Sequence, residues 1–123
     1  MIPLAFISGP LTSEDPQLMQ HRRVQAEAFG AEVRSECGCD TFVPHTEITG
    51  PSGLHGVSQW LWAMGTCICK LENDADLIVM MPDWNKSRGS RLEHAHALTR
   101  GIPVAYTVDE AAAIVARLKE GAV

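Results

Sequence analysis

Short blocks of consecutive apolar residues alternate along this chain with longer stretches of helical periodicity, and that alternation predicts its layout. Pro3 to Ser8 is an apolar run closed by Gly9-Pro10, which reads as a strand ending in a turn. Thr12-Ser-Glu-Asp-Pro16 reads as a helix start, with Asp15 as N-cap and Pro16 in the first helical position. That helix runs to about Glu36, carries Ala26, Phe29 and Val33 on one face, and stops at Gly38. Thr41 to Pro44 predicts a second short strand. His45 to Val57 predicts a long loop, and loops of that length in a compact domain are functional or mobile. Ser58 then caps a helix whose apolar stripe is Trp60, Met64, Cys67, Ile68 and Leu71.

Leu77 to Met81 is apolar at every position and β-branched in its centre, the pattern of a strand buried on both faces of a parallel sheet. Pro82 ends it. A helix from Gly89 to Arg100, a strand from Ile102 to Thr107 and a helix from Asp109 to about Lys119 complete the pattern. Alternating strands and helices predict an α/β fold: a three-layer Rossmann-like (flavodoxin-like) sandwich with a four- to five-stranded parallel sheet and right-handed crossovers. In such sheets ligands bind beyond the carboxyl ends of the strands, where strand order reverses. Ser8-Gly9-Pro10, Pro44-His45 and the stretch Pro82 to Gly89 all fall at that edge.

Composition narrows the class. With 123 residues, 46% of them hydrophobic, the expected organisation is one domain over residues 1–123. A net charge of −5 argues against a nucleic-acid polymer as partner, while a small anionic ligand needs only local positive charge. Met1 to Ile7 lacks the basic start of a signal peptide, and no run of ~18 apolar residues occurs, so a cytoplasmic protein without membrane partners is expected. Four cysteines stand as Cys37-Gly-Cys39 and Cys67-Ile-Cys69. Residues two apart on a helix point about 200° apart, so Cys67 and Cys69 cannot share one metal, and free thiols are expected with neither metal nor cofactor.

The candidate chemistry sits between Asp74 and Glu93. Ser87-Arg-Gly-Ser offers hydroxyls and free N–H groups at a helix start, where the dipole favours an anion such as phosphate. The same residues also fit an ordinary loop and cap. Glu93, read as lying in the first turn, is the candidate nucleophile or base, or else an acid placed there for its dipole effect alone. Glu93 and His96 match half of a di-metal Glu-x-x-His arrangement whose other half is missing, so His94 and His96 read as outer or surface groups. His45 is either a ligand contact or a plain loop histidine. Arg88 and Arg91 either add positive charge at that helix start or face solvent, and His21, Arg22 and Arg23 are expected to face solvent. No Gly-x-Gly-x-x-Gly or P-loop pattern occurs.

An opening Ser-Gly-Pro together with Pro-x-Trp-x-x-Ser-x-Gly-x-x-x-Glu resembles the nucleoside 2-deoxyribosyltransferase-like superfamily, especially its small phage and bacterial members. Here these are Ser8-Gly9-Pro10 and Pro82, Trp84, Ser87, Gly89 and Glu93, and the likeness spans most of the chain up to the Ile102 strand. The resemblance implies that Glu93 attacks the anomeric carbon of a deoxyribonucleoside to give a covalent intermediate, resolved by water or another base. Serine six places before the glutamate is the pattern of the 5'-monophosphate N-hydrolases; it implies Ser87 and Gly89 at a phosphate, with Ser8, Gly9 and Pro10 nearby. Asp83, Trp84 and His45 complete the expected ligand contacts, Trp84 by stacking. The implied activity is cleavage of the base–sugar bond of a 2'-deoxynucleoside 5'-monophosphate, and the alternative is a catalytically silent nucleotide-binding module.

Two departures accompany this likeness. Eight positions before Asp76, where the superfamily carries an aspartate, this chain has Ile68, leaving Asp83, Glu72 or Glu47 as substitutes. Arg91 stands where the hydrolases often have glycine. The relatives are dimers or larger, and the bulky run Trp60-Leu61-Trp62 agrees with a homo-oligomer.

Overall fold

The computed structural model describes residues 2–11, 15–47, 53 and 55–121. Thr12 to Glu14 of the first helix start, and Ile48 to Ser52 and Leu54 of the long loop, lie outside the described residues. The elements in order are β1 (Leu4–Ser8), α1 (Pro16–Cys37), β2 (Asp40–Phe42), α2 (Pro44–Glu47), α3 (Gly56–Asn73), β3 (Leu77–Met80), a 3₁₀ turn (Trp84–Lys86), α4 (Arg88–Arg100), β4 (Val104–Ala105) and α5 (Val108–Gly121).

All four strands run parallel in the order β2-β1-β3-β4, so the predicted α/β sandwich is what forms, at the four-stranded end of the expected range. Successive side chains of a strand face opposite sides, and the two helical layers divide accordingly. Ala5, Ile7, Leu77, Val79 and Ala105 pack with Ala26 and Val33 of α1 and Ala111, Ile114 and Val115 of α5. Phe6, Ile78 and Met80 pack with Cys67 and Leu71 of α3 and Ala97 of α4. Ser8 follows Phe6 by two, so the pleat aims it at the α3/α4 layer. The chain steps from β1 outward to β2 and then back past β1 to β3, which makes the β1/β3 boundary the switch point. Ser8 pairs with Met80 there.

Local chemistry sets the ends. The Asp15 carboxylate accepts the Gln17 N–H at 2.9 Å with Pro16 behind it, and Gly38 closes α1 at φ 65°, its N–H bonded to the Arg34 carbonyl, as the sequence predicts. Asp76 accepts the Leu4 N–H at 2.8 Å and so anchors the first residue of β1 to the approach of β3.

Several boundaries differ from expectation. β2 ends at Phe42 because Pro44, which has no N–H for a ladder, opens α2 instead. The stretch His45 to Val57 is therefore helical at both ends. α3 begins at Gly56 with His55 in the cap position, which leaves Ser58 inside the helix. β4 shrinks to two residues because the Ile102 N–H is spent on the Ala97 carbonyl at 2.9 Å and Pro103 has none to give. No helix among the described residues is long and apolar enough to cross a membrane.

Gly30 lets α1 approach the end of β2. A Cβ there would stand 2.7 Å from Val43 Cγ2, and valine has little rotamer freedom with which to yield. Gly30→Ala is expected to cost roughly 1 kcal/mol, overpacking of ~1–3 kcal/mol being partly offset by ~1 kcal/mol of helix propensity. In a Val43→Ala background the same change should become neutral or stabilising. Urea titration of the four proteins checks this; additive effects would show that the two residues do not meet.

Candidate functional site

A cavity of about 810 Å³ opens beside the carboxyl end of β1, in the range of small-molecule sites. Gly9 and Leu11 border it from the β1 turn, Met19 and Arg23 from α1, and Pro44 and His45 from α2. From α3 come Trp60, Met64 and Cys67, and from α4 come Ser87, Arg88, Gly89, Ser90 and Glu93.

Glu93 is 6% exposed. The Ser8 hydroxyl donates to its Oε1 at 2.6 Å, and the Cys67 thiol hydrogen-bonds the same carboxyl. Burial pushes the Glu93 carboxyl up to about 7 from its ordinary 4.5, against the lowering effect of the Ser8 and Cys67 bonds. The first-turn reading is corrected here: α4 starts at Arg88, so Glu93 is its sixth residue and no acid lies in the first turn. The helix dipole falls off within one turn, and desolvation rather than the dipole governs this group. Burial, and Glu93 itself, likewise raise the Cys67 thiol well above the ordinary range, which keeps it protonated as the donor.

Ser87 is the N-cap of α4, its Oγ accepting the Ser90 N–H at 3.3 Å, and it borders the cavity as well, so the cap and the candidate anion contact are one residue. Arg88 does not simply point to solvent: its guanidinium lies 4.7 Å over the Trp60 ring at the cavity wall. Arg23 also lines the cavity, where the sequence reading left it on a solvated face. A periodic apolar stripe does not reveal whether it meets a core or a cavity, and Trp60 and Met64 meet the cavity. A Cβ at Gly89 would come 3.0 Å from Met64 Sδ, and one at Gly9 only 2.4 Å from Met81 Sδ. Packing alone accounts for both glycines.

His45 is buried, and its Nε2 sits 3.0 Å from the Pro10 carbonyl, which brings Pro10 to the site through its backbone. Burial lowers the His45 pKa, the dominant effect over the Pro10 and Gly9 hydrogen bonds, so the ring is neutral near pH 7.

Asp83 and Trp84 are not brought to the cavity. Asp83 adopts φ 65°, a left-handed turn that sends it outward to an exposed ion pair with Lys86 at 3.5 Å. Trp84 packs beside α4, its ring 4.2 Å from that of His94, whose Nε2 lies 2.8 Å from the Tyr106 hydroxyl. His96, one turn on from Glu93, does not reach the cavity; it bonds Glu72 at 2.9 Å, beside Arg100 at 2.8 Å from the same carboxylate, and His96 holds the Glu72 carboxyl below its ordinary value. Glu47 accepts the Val43 N–H. The three acids offered as substitutes for the one missing at Ile68 thus have partners elsewhere. Ile68 is half-buried outside the cavity, and its neighbour Cys67 is the α3 residue that meets Glu93. Cys67 is buried and Cys69 exposed, on opposite sides of α3, and among the described residues no three metal-ligating groups converge.

Below pH 4.5 Glu93 is neutral in the folded and unfolded chain alike. Between 4.5 and about 7 the unfolded chain ionises it while the fold retains the proton, so stability falls as pH rises through that window, by up to ~1.4 kcal/mol per pH unit. Glu93→Gln should therefore match wild type near pH 4.5 and surpass it increasingly up to pH 7, by on the order of 3 kcal/mol. Denaturant midpoints at pH 4.5, 6 and 7.5 test this, and a pH-independent difference would refute it.

In comparisons with known proteins, residues 4–106 match the family model described as a domain of unknown function, DUF4406. No curated protein and no solved structure matches the chain.

Proposed function

The chain belongs to the DUF4406 family, and we propose that its cavity is an N-glycosidase site for a 2'-deoxynucleoside 5'-monophosphate, with Glu93 as nucleophile. The observation that carries the reading is a buried carboxyl, held by Ser8, in the wall of a ligand-sized cavity that also holds a helix N-terminus and two arginines. Arg23, Arg88 and the α4 N–H groups give that cavity a local positive character in a chain of net charge −5. This fits a phosphate near Ser87, Arg88 and Gly89. It also agrees with the likeness of the Ser8-Gly9-Pro10 and Pro82-to-Glu93 motifs to the deoxyribosyltransferase-like superfamily.

In this reading the ionised Glu93 attacks C1' of the sugar as the bond to the base breaks, and water or a second base then displaces the glutamate with retention. Ser8 fixes the carboxylate through Oε1. The Ser8 bond also favours the ionised form, opposing the burial that disfavours it. Trp60, already stacked under Arg88, takes the place first considered for Trp84 as the aromatic wall.

One observation favours the silent nucleotide-binding alternative. The acid that the superfamily places on the helix before β3 is missing, and a thiol faces Glu93 from that helix instead. A leaving base needs a proton or a hydrogen bond, typically contributing 10² to 10⁴ in rate.

Release of free base from a panel of deoxynucleoside monophosphates distinguishes the two. The enzyme reading expects Glu93→Ala to lose ~10³-fold or more, and expects wild-type kcat/KM to rise with pH to a plateau above about 7, because only the ionised carboxylate attacks. Nucleotide binding without base release by either protein would leave the silent module. Val57 and Leu61 at the cavity, 75% and 58% exposed, fit a homo-oligomeric assembly. Sedimentation should show a dimer or larger species that Leu61→Glu shifts toward monomer; a monomeric wild type would refute it.

A further inference from the structure

Ser87, Ser90 and Glu93 recur every third residue of α4, and all three line the cavity. A rise of 1.5 Å per residue spaces them about 4.5 Å apart along the helix axis. The outer two are committed: Ser87 Oγ to the Ser90 N–H, and Glu93 to Ser8. The Ser90 hydroxyl is not. Ser90 is 2% exposed, and its Oγ has no hydrogen-bond partner among the described residues. A helical serine ordinarily returns its proton to a carbonyl one turn back, and a buried hydroxyl without a partner is destabilising.

A second unpartnered atom borders the same cavity. His45 Nδ1 is buried and bonded to nothing among the described residues. A carbonyl only accepts, so the bond to Pro10 puts the ring proton on Nε2 and leaves Nδ1 of the neutral ring a bare acceptor. Two residues that border the cavity therefore carry one free donor and one free acceptor, the complement of an alcohol.

Resting on the nucleotide reading above, we propose that Ser90 and His45 recognise the sugar: Ser90 Oγ–H donates to a furanose hydroxyl, and a furanose hydroxyl donates to His45 Nδ1. Ser90 lies midway between the residue assigned to the 5'-phosphate and the one assigned to C1', the stretch of α4 that the sugar must cover. Both polar atoms gain a partner when a hydroxylated sugar is bound. Specificity follows from the same fact, because a sugar lacking the hydroxyl leaves buried groups unpaired.

The test is equilibrium binding, by calorimetry, of adenosine, 2'-deoxyadenosine and 2',3'-dideoxyadenosine 5'-monophosphates, with the cytidine series alongside, to wild type and Ser90→Ala. Wild type should bind at least one hydroxylated nucleotide about tenfold tighter than its dideoxy counterpart. Ser90→Ala should abolish most of that gap while leaving dideoxy affinity unchanged. The same substitution should raise the melting temperature of the free protein, by roughly 2–5 °C, since it removes an unpaired buried hydroxyl and improves helix propensity. A purely structural serine would not weaken binding while its removal stabilises the fold. If the deoxy nucleotide behaves like the ribo form, the 3'-hydroxyl is the partner; if like the dideoxy form, the 2'-hydroxyl is, and the site prefers a ribonucleotide to the deoxynucleotide proposed above. Nucleotide binding with no wild-type gap, or with a gap undiminished in Ser90→Ala, overturns this assignment and leaves the nucleotide site standing. Binding of none of the six overturns both.

Discussion

A carboxyl group enclosed at the end of a parallel sheet must find its hydrogen bonds inside the protein, and Glu93 finds them on two other elements. Ser8 reaches it from β1 and Cys67 from α3. One side chain of α4 thereby joins a central strand to both helices of its layer at the point where strand order reverses. The arrangement follows from the pleat: Ser8 faces the α3/α4 layer because Phe6 does, and a hydroxyl buried there needs an acceptor. Two members of this junction, Glu93 and Cys67, also line the cavity.

That junction holds two opposing tendencies. Burial favours the neutral acid, and the Ser8 and Cys67 donors favour the carboxylate. Burial prevails and brings the carboxyl up to about 7, so that it exists in either form around neutral pH, as a group must if it is to give and take a proton. Arg23 and Arg88 bias the surrounding field in a chain that is otherwise acidic.

Much of the fold was legible because its determinants are local. Asp15 with Pro16, Gly38 and the apolar block at Leu77 each carry their instruction within a few residues, and all appear as read. Where non-local bonds compete, the sequence reading misplaced detail: β4 lost residues to the α4 cap, and Pro44 turned a strand end into a helix start. The site was legible at the level of its edge and less so at the level of its side chains. Ser8 and Glu93 are 85 residues apart, and nothing near Glu93 in sequence announces that it is buried. Arg23 and Trp60 were missed because helical periodicity gives a face and not what the face meets. Asp83 and Trp84 were placed by proximity to the motif, and a single left-handed residue at Asp83 turns that segment away.

The flanks of α4 are braced as firmly as its buried face is occupied. Trp84, His94 and Tyr106 stack against one part of the helix, and Glu72 of α3 ties His96 and Arg100 along the next turns. The helix carrying Ser87, Ser90 and Glu93 is thus a plate with fixed mounting. Its side chains are ordered when the chain folds, so a ligand meeting them incurs little further entropy loss on that wall. Adaptation to differently shaped ligands then falls to the walls opposite, where the exposed Val57 and Leu61 of α3 have no comparable ties.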